Sequence, residues 1–498
     1  MKNRKFEKED KTEEVKKSGS PKGKNQKRRG RFERNQKTSA CNDISWYAAD
    51  PQLLEKSANH AYSENLGDDF NVVSNRVKPY FDAGAHAIPG VMSIAMAPSV
   101  GISKDANSAL NVTARAIYTF VRHANSGHSN YESQDLLIYL LAMDQLYSFH
   151  NYLSRLYTVA RTYNIYNKYE PRQLIEAMGV SFEDVINNLP FLSYYIEYSA
   201  SRLNRFAVPS KMTYFQRHAW MYSNIFKDSE SAKAQVYVFT PYFFWKYSPF
   251  SDRQGGELIP LEMGTPSERL TVTQLTDKFD SMMQAVLDDE DMGIMAGDIK
   301  RAYGDQLYYV TGVPIDAIYV PQFEPTVLMQ IQNATLVGKP AFTNPDVKAS
   351  WGIHQDENTA SLRFDPYLAY GAPVVPLTDL DRLFTVPVPV ESTNPAITML
   401  ASRLTVITDS TEIGTDSVEV HFNSLPADVA LYARICTREA NNFAWSSPLS
   451  FNYLVNGAAV HAARRISDIE KFSYHPNFAM YSYDDPGEPQ SLWLNATV

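Results

Sequence analysis

Leu136-Leu137-Ile138-Tyr139-Leu140-Leu141-Ala142-Met143-Asp144-Gln145-Leu146-Tyr147 opens the longest helical run in the chain, and Phe149, Tyr152, Leu153, Leu156, Tyr157 and Val159 carry it on toward Tyr163. As an α-helix this run is apolar around most of its circumference, which predicts a central helix packed by other elements rather than by water. The stretch before it places Leu110, Ala114, Ile117, Tyr118 and Val121 at i, i+4, i+7, i+8 and i+11, one face of a second helix. Asn107 or Ser108 suits its start, and Gly127 suits a left-handed stop. The polar loop 125–131 lies between the two, and Ser129 with Glu132 has the spacing of a capping box. This pair predicts the spine of a mainly helical domain.

Helical signals continue outward from the spine. Ser181 and Asp184 have a capping spacing, and Pro190 fits the first turn of a helix carrying Leu192, Tyr195, Ile196, Leu203 and Phe206 on one side. Pro209 and Ser210 open another with Tyr214, Phe215, His218, Met221, Tyr222 and Ile225. The last strong helix starts near Thr273, where Leu275, Phe279, Met282, Met283 and Val286 repeat the spine's spacing. A β-prone aromatic run, 236–247, is interrupted by Pro241.

Beyond about Tyr303 the texture changes. Residues 307–310, 318–320 and 327–337 read as strands, and eight prolines from Pro340 to Pro395 rule out long helices there. Residues 403–408 and 417–422 read as paired strands around Gly414, with 429–435 continuing the set as an antiparallel sheet with one wet face. Residues 458–472 read as one more helix. The expected class is α+β: mainly α, with a smaller β-rich part.

Charge is distributed unevenly. Residues 1–40 hold fifteen Lys or Arg against six Asp or Glu, a net of +9, while the whole chain of 498 residues carries −9, so the body carries −18. With no apolar periodicity, this segment lacks the buried surface needed to offset its ordering entropy, and a disordered basic arm is expected. Lys22, Lys24, Lys27, Arg28, Arg29, Arg31, Arg34 and Lys37 are its candidate phosphate-binding residues. Two cysteines, Cys41 and Cys436, are too few for a disulfide framework or a cysteine zinc site. The basic N-terminus lacks the apolar core of a secretory signal, and no apolar run is long enough to span a bilayer. The sequons at Asn111, Asn333 and Asn495 are therefore read as chance.

Catalytic signatures are missing from the chain: no Gly-rich phosphate loop, GxSxG elbow or HExxH occurs. His123, Ser126 and His128 share a loop, but a triad needs a base oriented by a buried carboxylate, so capping and loop hydrogen bonding is the preferred reading. Asp288-Asp289-Glu290-Asp291 departs from EF-hand spacing and reads as a solvated helix end. Two aromatic groups, Tyr194, Tyr195 and Tyr198, and Tyr242, Phe243, Phe244 and Trp245, have only Lys246 among them as a cation. Without a positively charged groove they suit core or subunit-contact packing better than base stacking. No cofactor, metal or small-molecule substrate is expected, and no enzymatic activity.

Several blocks resemble the capsid protein of picobirnaviruses, small double-stranded-RNA viruses. They are Asn42-Asp43-Ile44-Ser45-Trp46-Tyr47 with Pro51-Gln52-Leu53-Leu54, Ile88-Pro89-Gly90-Val91-Met92, Phe120-Val121-Arg122-His123-Ala124-Asn125-Ser126-Gly127-His128-Ser129-Asn130-Tyr131 continuing into Asp135-Leu136 and Tyr139-Leu140-Leu141-Ala142-Met143-Asp144, and Met212-Thr213-Tyr214-Phe215 with Arg217, His218 and Trp220. The resemblance is good over about 42–239 and thin afterwards. It implies a helix-rich shell domain, a smaller projecting domain, and subunits that dimerise and close an icosahedral shell around RNA. It also implies N-terminal self-cleavage in some members, for which no residues here declare a site. The organisation expected is an RNA-associated arm at 1–41, a helical shell domain at 42–304, a β-rich projection at 305–455, and a segment 456–498 packing back on the shell. Such a protein resides in the virion after synthesis in the host cytoplasm. A non-assembling RNA-binding nucleoprotein or chaperone is the rival from another class, and a hydrolase built from distant residues the third.

Overall fold

The chain divides into residues 1–40 and 41–498. The computed structural model describes residues 69–70, 86–87, 90–127, 130–164, 170–230, 234–249, 255–356, 358–359, 361–371, 386, 388, 393–413, 417–439, 442–446, 452–454, 469, 472–477, 480–485 and 488–490. The first two helices are α1 (Ala109–Ala124) and α2 (Ser133–Arg161). On α1, Leu110, Ala114 and Val121 are buried, with Ile117 and Tyr118 half-buried beside them, as the spacing predicts. Gly127, at φ 79°, ends that helix and donates its N–H to the Arg122 carbonyl at 2.9 Å.

α2 is the spine, 29 residues long, or about 44 Å at 1.5 Å per residue. Its capping box lies three residues later than the expected Ser129–Glu132 pair, and Ser129 lies outside the described residues. Glu132 is the cap, and Asp135 accepts its N–H at 2.9 Å. Around α2 pack α1, α3 (Glu170–Ala177), α5 (Leu189–Leu203), α6 (Thr213–Ser223) and α7 (Val272–Leu287), with α4 (Phe182–Asn187) bridging α3 to α5. Phe149 shows how the spine is gripped: its ring stacks on Phe244 at 5.0 Å and meets Phe279 edge-on at 5.5 Å. Each fully buried large apolar side chain of this kind contributes roughly 1.5–3 kcal/mol.

A mixed sheet lies against the helices. A two-residue pair, β1 (Asp69–Phe70) and β2 (His86–Ala87), precedes β3 (Val91–Pro98), which is buried along its whole length. β3 runs parallel to β5 (Val236–Pro241), and the long crossover that parallel pairing demands carries α1 to α6 and the short β4 (Phe226–Lys227). On its other side β3 pairs antiparallel with β13 (Asp428–Glu439), from Asp428 opposite Pro98 to Cys436 opposite Val91. The sheet order is β14-β13-β3-β5-β4, with β14 spanning Asn442–Trp445. A bulge between Ala430 and Tyr432 would strand two carbonyls; Val337 and Gly338 donate to those of Ala430 and Leu431 at 3.1 and 2.7 Å. β5 ends on Pro241, which breaks the aromatic run as expected, and β6 (Phe243–Ser248) forms a hairpin with β7 (Glu257–Glu262).

The second half departs from the sequence reading at several points. Residues 327–337 are not a strand: α9 (Pro325–Gln332) starts there, with Pro325 in its first turn and the Glu324 carboxylate accepting from Thr326 N at 3.3 Å. A short buried apolar run has no periodicity to separate helix from strand, and the Pro signal decides it. Residues 307–310 and 318–320 form no strand either; Leu307 makes a single bridge to Pro209, and Pro314 and Pro321 interrupt the rest. A further helix, α8 (Glu290–Tyr303), follows α7, and two short ones, α10 (Pro345–Ser350) and α11 (Pro395–Ala401), sit among the prolines. The expected strand at 429–435 exists but belongs to the central sheet, buried on both faces. After a hairpin of β8 (His354–Asp356) and β9 (Ser361–Arg363), the wet-faced antiparallel sheet is instead β10 (Tyr367–Gly371), β12 (Ser417–Ser424) and β11 (Ile407–Ile413), where Val420 and Phe422 are buried and Glu419 and His421 are not. The expected helix 458–472 lies outside the described residues apart from Ile469 and Phe472, both buried.

Candidate functional site

Charged side chains inside a helix that is apolar all round require partners, because an unpaired buried charge costs several kcal/mol. Asp144 sits in the middle of α2, 1% exposed, and its Oδ2 lies 2.6 Å from Nδ1 of His218 on α6. The opposite ring nitrogen, Nε2, lies 2.8 Å from Oδ1 of Asp428, the first residue of β13. Arg217 reaches the other Asp428 oxygen at 2.6 Å and donates to Gln330 of α9 at 3.2 Å. Gln145 donates to Asp144 at 2.8 Å, and the Tyr214 ring meets the imidazole edge-on at 4.3 Å. Two carboxylates and two cations thus form a buried, formally neutral cluster joining the spine, α6, α9 and the central sheet.

Electrostatics fix its protonation state. Burial alone would lower the His218 pKa, but Asp144 and Asp428 outweigh it and hold the ring up to about 10, so it is an imidazolium at neutral pH. Burial would raise the Asp428 carboxyl, yet His218 and Arg217 pull it below the usual carboxylate range. Asp144 ends up raised, since burial exceeds what His218 supplies. With both ring nitrogens committed to carboxylates and no solvent access, the imidazole has no free nitrogen to serve as a general base. The arrangement holds elements together.

About three helical turns further along α2, the fully buried Arg155 makes a second tie. Its guanidinium donates to the carbonyls of Asn224 at 3.1 Å, Met221 at 3.3 Å and Phe239 at 2.8 Å. Met221 and Asn224 stand at the C-terminal end of α6, where carbonyls lack intrahelical donors and the helix dipole favours a cation. Burial lowers the Arg155 pKa to about 10, which leaves it charged at neutral pH.

The residues singled out in the sequence fall differently. Lys22, Lys24, Lys27, Arg28, Arg29, Arg31, Arg34 and Lys37 lie outside the described residues. His123 and Ser126 are exposed at the end of α1, and His128 is outside the described residues. Their loop does structural work through Asn125, whose amide donates to Val121 and Asp298 carbonyls at 2.9 and 3.1 Å, tying α1 to α8. The acidic run is more than a solvated helix end: Asp289 caps α8, accepting from Asp291 N at 2.9 Å, and takes the Tyr247 hydroxyl at 2.5 Å. Among the described residues no three His, Cys, Asp or Glu gather as a metal site, and no helix is long and apolar enough to cross a membrane. Tyr242, Phe243, Phe244 and Trp245 are core residues, as is Tyr195, whereas Tyr194 and Tyr198 are exposed. The sequons at Asn111 and Asn333 carry buried side chains; Asn111 bonds Ser103 and Leu362 inside the fold.

Comparisons with known proteins bear on the same fold. A family profile described as "Picobirnavirus, Capsid protein" matches residues 46–462. A capsid protein precursor of human picobirnavirus (strain Human/Thailand/Hy005102/-) is 36% identical over 344 residues, which is 67% of this chain and 62% of that protein, so the match spans less than two thirds of the relative. A solved X-ray structure of the picobirnavirus capsid shares the fold at a TM-score of 0.69 and 22% identity, covering 91% of this chain and 93% of the other.

Proposed function

The chain belongs to the picobirnavirus capsid protein family, and from that premise we propose that it self-assembles, through dimers, into an icosahedral shell that encloses RNA, with its basic arm on the nucleic acid. The observation that carries this reading is the family match over 46–462. Among the described residues, the charges of Asp144, Arg155, Arg217, His218 and Asp428 are spent on internal ties. In this reading residues 42–304 make the shell, 305–455 the projection and 456–498 a return onto the shell. Because β13 pairs with β3, the projecting surface is drawn from the β10-β12-β11 sheet and its connections rather than from β13. The protein made in the host cytoplasm then resides in the virion.

Particle size tests the proposal. Purified recombinant protein is expected to elute as a megadalton species and to appear as closed particles in negative-stain electron microscopy. A monomer or small oligomer under all ionic conditions favours the nucleoprotein reading instead.

The arm is tested separately. Deleting residues 1–40 removes fifteen basic side chains and is expected to leave assembly intact while lowering packaged RNA. Were all eight candidate cations on phosphate, the isolated arm's affinity would fall by about 7 log units per log unit of salt. Equal RNA content in truncated and full-length particles, read from the absorbance ratio at 260 and 280 nm, would overturn the role of the arm.

A further inference from the structure

α5 buries Leu192, Tyr195 and Ile196 and turns a second set of aromatics outward. Phe191, Tyr194 and Tyr198 are 46%, 65% and 44% exposed, and the rings of Tyr194 and Tyr198 lie parallel at 6.4 Å. Exposed large aromatics in a row are uncommon on a surface that only meets water, and they are the residues that dominate protein contacts. Beside the C-terminal end of α5 runs an irregular strap, residues 309–320. Asn204 holds it there, donating to the Val310 carbonyl at 2.8 Å and accepting its N–H at 3.0 Å. The strap exposes Tyr309, Ile315, Ile318 and Val320, so the apolar surface continues from the helix onto it.

Glu197 on α5 and Arg205, two residues past the helix end, are both exposed and neither is ion-paired among the described residues; they lie four residues before and four after the small exposed Ser201. In an antiparallel crossing of two copies of α5 at Ser201, Glu197 of each copy falls opposite Arg205 of the other. Each copy's Tyr194 then passes the end of the other helix and meets the strap that Asn204 anchors there. A patch that complements itself in this way is what a two-fold contact requires. A helix face about 21 Å long is too small for a stable contact by itself, where about 800 Å² per partner is usual, and the strap supplies the added area.

We propose that the outward face of α5, with the 309–320 strap, is a two-fold contact surface for a second copy of this chain. This rests on the reading that the protein self-assembles and assigns one of its subunit contacts.

Two variants test it beside a wild-type control. Tyr194→Glu/Tyr198→Glu places charge on the seam at positions already exposed, and is expected to keep the wild-type far-ultraviolet circular dichroism while lowering particle yield at least tenfold. Ser201→Cys, in a Cys41→Ser background, is expected to give a disulfide-linked dimer within assembled particles under mild oxidation, reversed by a thiol. Wild-type particle yield from the double glutamate variant overturns the assignment. So does the absence of a cross-link in Ser201→Cys particles, and that arm decides alone if the glutamate variant does not fold. If the wild-type control forms no oligomer, self-assembly fails and this contact with it, which is distinguishable from failure of the contact alone.

Discussion

Leu140→Asp is expected to abolish soluble folding. Leu140 is fully buried in the middle of the spine, one residue after Tyr139, whose hydroxyl donates to the Ala207 carbonyl at 2.8 Å. A carboxylate there faces packed hydrocarbon and stands one turn from Asp144, a like charge at i, i+4. The cations nearest in the network, His218 and Arg217, are already committed to Asp144 and Asp428. Protonation relieves the charge but leaves a buried polar group in place of a methyl-rich one, at a cost of several kcal/mol on top of roughly 2–5 kcal/mol for the lost packing. Against a typical net stability of about 5–15 kcal/mol, that sum empties the folded state. Leu140→Ala, losing the packing alone, is expected to remain soluble with a lowered midpoint in urea. Soluble, assembled Leu140→Asp protein would mean that the spine helix is misplaced.

His218→Ala is expected to be the costliest single change in the polar interior, about 3–5 kcal/mol, because it leaves two buried carboxylates facing each other across a void. The pH dependence separates this from ordinary cavity formation. The folded pKa of His218, about 10, lies above the unfolded value of about 6.5. The stability it contributes is therefore complete below pH 6.5 and is lost as pH rises toward 10. Asp428 has the opposite sign: its lowered pKa contributes above the unfolded carboxylate value and is lost as pH falls toward the folded one. Chemical denaturation at pH 6, 8 and 10 should show wild-type stability falling across the series, with a markedly flatter fall in His218→Ala. Parallel curves for the two proteins would show that the imidazolium is not the group titrating.

How much of this was legible in the sequence follows from the range of the interactions involved. α1, α2, α5 and α7 were legible because each repeats an apolar spacing over at least three turns, and the Pro241 break between β5 and β6 is a local steric fact. β3 was not: its alternation of Ser93, Ala95 and Ala97 with larger residues suits a strand buried on both faces, but no polar alternation marks it. Residues 429–435 read correctly as a strand and wrongly as a partner of 417–422, since pairing with β3 is set more than three hundred residues away in the chain. The ionic cluster was hidden for the same reason, its members coming from positions 144, 217, 218 and 428. One signal did exist. Asp144 and Arg155 are charges on a helix with no solvent-facing side, and such residues need partners from elsewhere. Exposure of Tyr194 and Tyr198 beside buried Tyr195 was likewise beyond reach until the direction of the core was known.

The place of β13 sets the timetable of biogenesis. Its partner strand β3 emerges from the ribosome early, yet the strand that covers its edge and the carboxylate that neutralises Arg217 arrive only when residues 428–436 have been translated. A nascent chain must wait with an open edge, a hazard for aggregation and an invitation to chaperones. Prematurely terminated products lack the closing strand altogether. Quality control is thus written into the topology: only a polypeptide translated past residue 436 can complete its central sheet.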